Sequence, residues 1–305
     1  MVLLKTPTLR DIPRVLSIAG TDPTGGAGIQ ADLKSIAALG GYAMAVVTSL
    51  VAQNTRGVRS VHTPPAQFLA EQLDAVSDDV TIDAVKIGML GDTATIAVVQ
   101  EWLARVRPPL VVLDPVMVTT SGDRLLAADA ETALRELISA VGLVTPNLPE
   151  LAVLVDEPVA ADWPTAIEQG KKLSMNCGTR VLVKGGHLAA ESSPDALVDA
   201  TGQLNGTDWD VVEFVSLRVN TRNTHGTGCS LSSAVATVMA RTGNWTVAVS
   251  QAKDWLQDAL THADELQVGQ GNGPINHFHQ LWTAADILCQ PAKPAETTRQ
   301  PRIDT

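Results

Sequence analysis

The residues best suited to chemistry in this chain stand in a few short segments, most of them just after runs of apolar, β-prone residues. The first is Gly20-Thr21-Asp22-Pro23-Thr24-Gly25-Gly26-Ala27-Gly28. Gly26 to Ala31 fits the G-x-G-x-x-A fingerprint of a dinucleotide-binding turn, which would suit a dehydrogenase. Asp22-Pro23 lengthens that loop, however, and the second apolar run ends in Ala52-Gln53-Asn54 with no acid for a ribose hydroxyl. A glycine turn serving close strand–helix packing reads this segment equally well. The second is Asn223-Thr224-His225-Gly226-Thr227-Gly228-Cys229-Ser230, leading into the apolar pattern of Leu231, Val235 and Val238. Glycines at a helix start let several backbone N–H groups point at one spot, and the helix dipole adds positive potential there. Such a turn can cradle a phosphoryl group, although taken alone it is more simply a Thr/Gly cap. The thiol of Cys229, at a helix N-terminus, is expected to ionise more readily than a core cysteine.

Asp114 ends one apolar run and Glu150 follows the next. Carboxylates at two neighbouring strand ends suit hydrated magnesium, which takes one or two protein carboxylates together with phosphates. Lys184, before Gly185-Gly186, stands where its ammonium could reach a nucleotide phosphate. No G-x-x-x-x-G-K-[ST] occurs, which excludes a P-loop enzyme, and no G-x-S-x-G, which removes support for a hydrolytic triad. The six histidines lack zinc spacing; His277 and His279 are two apart and on a helix would face different ways.

The elements that must position these residues follow an α/β rhythm. Near-continuous apolar runs at Val15–Ala19, Ala43–Leu50, Ala84–Ile87, Leu110–Leu113, Leu143–Thr145 and Val181–Val183 read as strands covered on both faces. Helical faces lie between them: Ile29, Leu33, Ile36 and Ala37; Ile96, Val99 and Leu103, with Asp92 as N-cap; Leu134, Leu137, Ile138 and Val141. Pro64-Pro65 opens another helix. Strand–helix–strand units of this kind imply a parallel sheet between helices, with ligands at the carboxyl ends of the strands. Residues 196–219 break the rhythm and read as antiparallel strands at the sheet edge, turning at Gly202 and Gly206. Two long helices follow, one opening near Gly228 and one over Trp245–Leu266.

Composition bounds the function. The chain has 305 residues, 45% of them apolar, enough for a sizeable core. A formal net charge of −11 argues against non-specific binding to nucleic acid or anionic membranes. Cys177, Cys229 and Cys289 are an odd count without metal spacing, which points to a reducing compartment. With no signal-peptide pattern and no apolar stretch near ~20 residues, a soluble cytoplasmic protein is expected.

Collected in order, these segments resemble the bacterial hydroxymethylpyrimidine/phosphomethylpyrimidine kinases of the ribokinase-like superfamily. The matching stretches are IAGTDPTGGAGIQADLKSIAALG (18–40), SLVAQNTRGV (49–58), KIGMLGD (86–92), LDPVMV (113–118), TPNLPEL (145–151), LVKGGH (182–187), HGTGCSLSSA (225–234) and GPINHFHQLW (273–282). The resemblance implies one ribokinase-like domain over residues 15–282, leaving an N-terminal extension (1–14) and a tail (283–305) whose Pro, Thr and charge content reads as disordered. It implies a three-layer αβα sandwich with a largely parallel sheet, and two consecutive transfers from ATP, pyrimidine alcohol to monophosphate and monophosphate to diphosphate, in thiamine biosynthesis. Gly20, Gln53, Met89 and Val116 would line the pyrimidine pocket, with Asp32 approaching the substrate. Gly226, Thr227 and Gly228 would form the anion hole, Lys184 would meet the ATP phosphates, and Asp114 and Glu150 would stand near Mg2+. Cys229 would act as base, where related sugar kinases place Asp. A homodimer is also implied. The rival readings are a pyridoxal kinase of the same superfamily and, in another class, a non-catalytic small-ligand-binding relative.

Overall fold

The computed structural model describes residues 9–117, 126–186, 188, 191–200, 202 and 211–282. The expected tail (283–305), the first eight residues and Gly206 lie outside them.

An eight-stranded sheet runs through the molecule in the order β10-β9-β8-β7-β6-β5-β1-β2. The strands β1 (Arg14–Ala19), β2 (Tyr42–Val47), β5 (Ala84–Ile87), β6 (Val111–Leu113), β7 (Leu143–Val144) and β8 (Arg180–Lys184) are all parallel. β9 (Ser192–Val198) and β10 (Val211–Leu217) close one edge antiparallel, as the broken rhythm of that segment implies.

Alternation along the strands divides the core in two. Leu16 and Ile18 of β1 and Val85 and Ile87 of β5 pack under α2 (Ala66–Ser77), α3 (Thr93–Val106), α4 (Glu131–Ile138), α5 (Leu148–Val155) and α6 (Trp163–Cys177). Val15 and Ala84 face the opposite way, toward α1 (Gly28–Ala38), α7 (Thr227–Thr242) and α8 (Trp245–Thr261). Helix α7 is largely enclosed. Its Ser230, Ser232, Ser233, Ala234, Ala236 and Thr237 are all buried, small side chains that let the helix lie close to the sheet and to its neighbours.

The local signals act as their chemistry requires. Asp92 caps α3 by accepting from Thr95 N at 2.8 Å, and Pro65 stands at the N-cap of α2. Asn147 and Glu150 form a reciprocal capping box on α5.

Several boundaries differ from expectation, among them the start of β9, which begins at Ser192 ahead of the expected 196. The run Ala43–Leu50 is not one strand: β2 stops at Val47, and Leu50–Asn54 is β3, paired with β4 (Gly57–His62) in a separate hairpin. The cause is polar. Thr48 N donates to Ala19 O, Thr48 Oγ1 to Met89 O, and Ser49 O accepts from Thr21 N, so the chain turns across the strand ends. Val141 lies beyond α4, which ends at Ile138, although it remains buried. The last helix stops at Thr261 and is followed by a separate 3-10 turn, Ala263–Leu266.

Candidate active site

At the carboxyl ends of β1, β5, β6 and β8 a cavity of about 470 Å³ opens. Its walls include Gly20, Gln53, Met89, Val116, Asp114, Glu150 and Lys184, together with the whole turn Gly226–Cys229. Eleven of the twelve site residues expected from sequence therefore face one space. The exception is Asp32.

Each wall has a local cause. Gly28 adopts φ +55 with its α-carbon against the Gly20 carbonyl, where a side chain would collide, so β1 passes into α1 through backbone alone. Gln53 is held by its Nε2 donating to Thr21 O at 3.2 Å, and Thr21 Oγ1 accepts from Val51 N at 3.0 Å. These bonds pin the β3 end against the first loop. At the start of α7, Gly226 has φ +77 and no side chain caps the first turn. Thr227 N donates to Thr224 O at 3.3 Å, and the amides that follow it at the helix start face an anion with the helix dipole behind them.

The ionic groups form a graded series. Lys184 Nζ donates to Asp114 Oδ1 at 2.8 Å, and Thr145 Oγ1 donates to the same oxygen at 3.1 Å. Burial would push Asp114 up, but Lys184 and Lys86 outweigh it and hold the carboxyl below its usual range. Lys184 loses solvation too, yet Asp114 and Glu150 keep its ammonium above its ordinary value. Glu150 is raised to about 7, first by burial, with the Asp114 charge adding to it against the pull of Lys184. Two carboxylates at adjoining strand ends, one of them reluctant to ionise, fit a divalent cation. Among the described residues there is no cluster of three or more protein ligands, so such an ion would be held through at most these two groups plus water and phosphate.

Behind the cavity lies a pair that sequence reasoning did not assign. Lys86, in the otherwise apolar β5, has no solvent exposure. Its Nζ donates to both oxygens of Asp32 at 2.8 and 2.9 Å, while Ser17 and Ser233 hydroxyls donate to the same carboxylate at 2.6 and 2.9 Å. Asp32 is likewise fully buried and does not line the cavity. Unlike the other expected site residues it stands behind the cavity wall, its oxygens taken up by Lys86, Ser17 and Ser233, which tie α1 and α7 to the sheet. The signal was a lysine inside the strand AVKI, readable as an anomaly though not as a partner for Asp32.

Cys229 also departs from expectation. Burial, with Asp32 and Asp114 adding to it, pushes the thiol up to about 11 despite the neighbouring Lys86 and the Gly28 amide that donates to it. Helix position alone had suggested the reverse. Asp22 and His225, unassigned from sequence, bond to each other beside the same cavity.

An open αβα sheet with an anion-receptive helix start, a lysine and two acids at its strand ends defines a small-molecule kinase of the ribokinase-like class. The phosphomethylpyrimidine kinase family pattern matches residues 22–276, and the chain belongs to that family. It is 53% identical over 297 residues to the thiamine biosynthesis multifunctional protein ThiED of Corynebacterium glutamicum, covering 96% of this chain but 37% of that protein. It is 51% identical over 269 residues to the hydroxymethylpyrimidine/phosphomethylpyrimidine kinase of Escherichia coli, covering 88% of this chain and 98% of the relative. Among solved structures, the ADP complex of Bacillus subtilis pyridoxal kinase superimposes with a TM-score of 0.79 at 30% identity, covering 88% of this chain and 99% of that one.

Proposed function

We propose that this chain transfers a phosphoryl group from ATP to 4-amino-5-hydroxymethyl-2-methylpyrimidine and then to the monophosphate, supplying the diphosphate for thiamine biosynthesis. The observation that carries this reading is the single cavity shared by Gln53, Met89 and Val116 on one side and Lys184, Asp114 and the turn Gly226–Cys229 on the other. Gln53 offers an amide with acceptor and donor suited to an aminopyrimidine edge, and Met89 and Val116 offer apolar walls. Lys184 would meet the nucleotide phosphates and the amides of residues 226–229 the group in flight. Mg2+, held through Asp114 and Glu150, would supply charge neutralisation at the phosphates.

Phosphoryl transfer is largely dissociative and depends above all on positioning and charge. Cys229 is assigned as the base that takes the hydroxymethyl proton. With burial pushing its thiol up to about 11, the thiolate is a minor form at pH 7, so the resting site works chiefly by placement. Residues 15–282 would act as one domain, in the cytoplasm, as a homodimer. No described helix is long and apolar enough to cross a membrane.

The test offers purified protein ATP and Mg2+ with the pyrimidine alcohol, its monophosphate or pyridoxal, and identifies products by mass. Mono- and diphosphate from the pyrimidines are expected. Transfer to pyridoxal alone would favour the second reading, which the likeness to the B. subtilis pyridoxal kinase supports. No transfer to any of the three would favour a binding protein.

A further inference from the structure

The Asp22 carboxylate is fully buried and fully engaged. Oδ1 accepts from Thr24 N at 2.9 Å and Thr24 Oγ1 at 2.8 Å, and Oδ2 accepts from Gly26 N at 3.0 Å and Ala27 N at 2.8 Å. One further contact comes from far along the chain: His225 Nε2 lies 2.9 Å from Oδ2. Burial alone would favour protonation, but His225 and Thr24 outweigh it and hold Asp22 below the usual carboxylate range. An ionised carboxylate only accepts, so the His225 Nε2 must donate.

His225 is also fixed through its backbone, its N donating to Gly273 O at 3.0 Å, and it bridges to Pro274. The next residue, Gly226, presses its α-carbon onto the Gly26 carbonyl so closely that any side chain would collide. Lys34 Nζ donates to Gly25 O at 2.8 Å and braces the same loop. Two turns from opposite ends of the sequence are thus joined at one ionic hydrogen bond. One belongs to the substrate wall and the other to the start of α7.

We propose that Asp22 and His225 are positioning residues, a clamp that fixes the phosphoryl-cradling turn Gly226–Cys229 against the substrate loop Gly20–Gly28. The inference rests on the reading of that turn given under Proposed function. Without the clamp both turns still exist, but their spacing is left to the glycine contacts, the Gly28 amide on Cys229 and the more distant Ser233–Asp32 bond between α1 and α7. A small misplacement between donor and acceptor costs on the order of a hundredfold in rate.

The test compares His225→Leu, which removes the donor, with His225→Gln, which restores an N–H. The Leu variant should lower kcat by about a hundredfold while KM for ATP and pyrimidine moves less than about threefold, and Gln should recover at least about tenfold of that loss. Asp22→Asn combined with His225→Leu should be no slower than Asp22→Asn alone, since each breaks the same bond. Independently of turnover, iodoacetamide labelling of Cys229 without substrates, followed by peptide mass, should be faster in the Leu variant and return toward wild type in the Gln variant. Intact kcat with a raised KM, additive losses in the double variant, or labelling indifferent to residue 225 would each overturn the clamp. Should the wild-type protein transfer nothing to pyrimidines, the proposed function falls, while the labelling contrast still decides the clamp. If Asp22→Asn does not fold, the His225 pair of variants decides alone.

Discussion

Of the lysine–aspartate pairs anchored on the sheet, Lys86–Asp32 and Lys184–Asp114 are built for different purposes. Lys86–Asp32 is sealed in the core, with both carboxylate oxygens shared among one ammonium and two serine hydroxyls. Lys184–Asp114 has similar distances but borders the cavity, has Glu150 beside it, and leaves the lysine partly exposed. A closed pair has no vacant direction and serves as a joint between α1, α7 and the sheet. An open pair can exchange partners and is where phosphate and a cation would enter. The difference lies in the surroundings rather than in the residue types.

The largest effects should come from breaking the closed pair unevenly. Lys86→Met strands a buried carboxylate and should cost about 3–5 kcal/mol in urea unfolding. The double variant Lys86→Met/Asp32→Leu should recover much of that loss. A single variant as stable as wild type would show that the two pairs do not differ in this way.

At the open pair, Lys184→Met should lower kcat/KM by about 10²–10³, with a smaller loss of stability than Lys86→Met because water from the cavity can solvate Asp114. Equal destabilisation by both substitutions would erase the contrast.

Cys229 lies between the two pairs. Cys229→Ser should lower turnover by about a hundredfold, and a Ser variant with wild-type turnover would remove the base assignment. Because a base must be deprotonated and this thiol is raised to about 11, wild-type kcat should climb with pH through the alkaline range, and the Ser variant should lack that climb.

The smallest effect concerns Glu150, which binds its proton more tightly folded than unfolded. Its contribution is therefore fully present below about pH 4.5 and is lost as pH rises toward about 7. Glu150→Gln, which can keep the capping box, should stabilise the metal-free protein by on the order of 1–3 kcal/mol at pH 8 and by little at pH 4.5. Thermal unfolding in EDTA at the two pH values checks the sign.

How much of this could be read from the chain depended on whether a feature is local. The turn Gly226–Cys229, Asp114 and Lys184 announce themselves because each stands at the end of a recognisable strand or the start of a recognisable helix, and the sheet brings such ends together. The partners of Asp32 are not local: Ser17, Lys86 and Ser233 lie on β1, β5 and α7, and only the parallel pairing that sets Ser17 beside Lys86 brings two of them together. The raised thiol of Cys229 is hidden from the sequence, where a helix dipole is visible but desolvation and two carboxylates far along the chain are not. Likewise, the turn at Thr48–Ser49 is set by bonds to Ala19, Thr21 and Met89, residues outside any local window.

Helix α7, enclosed between the sheet and its neighbours, has a consequence for how the protein is made. Everything from β1 to β10 precedes it on the ribosome, so the nascent chain can pair its strands while the face that α7 will cover is still bare. Leu182, Val112, Ala84 and Val15 point at that face. Until residues 227–242 emerge, the growing polypeptide presents an apolar, sticky surface and has only half of its eventual catalytic cleft. Such a surface invites aggregation during synthesis. Chaperone demand should fall abruptly once translation passes that helix, and truncations ending before it should accumulate as insoluble material.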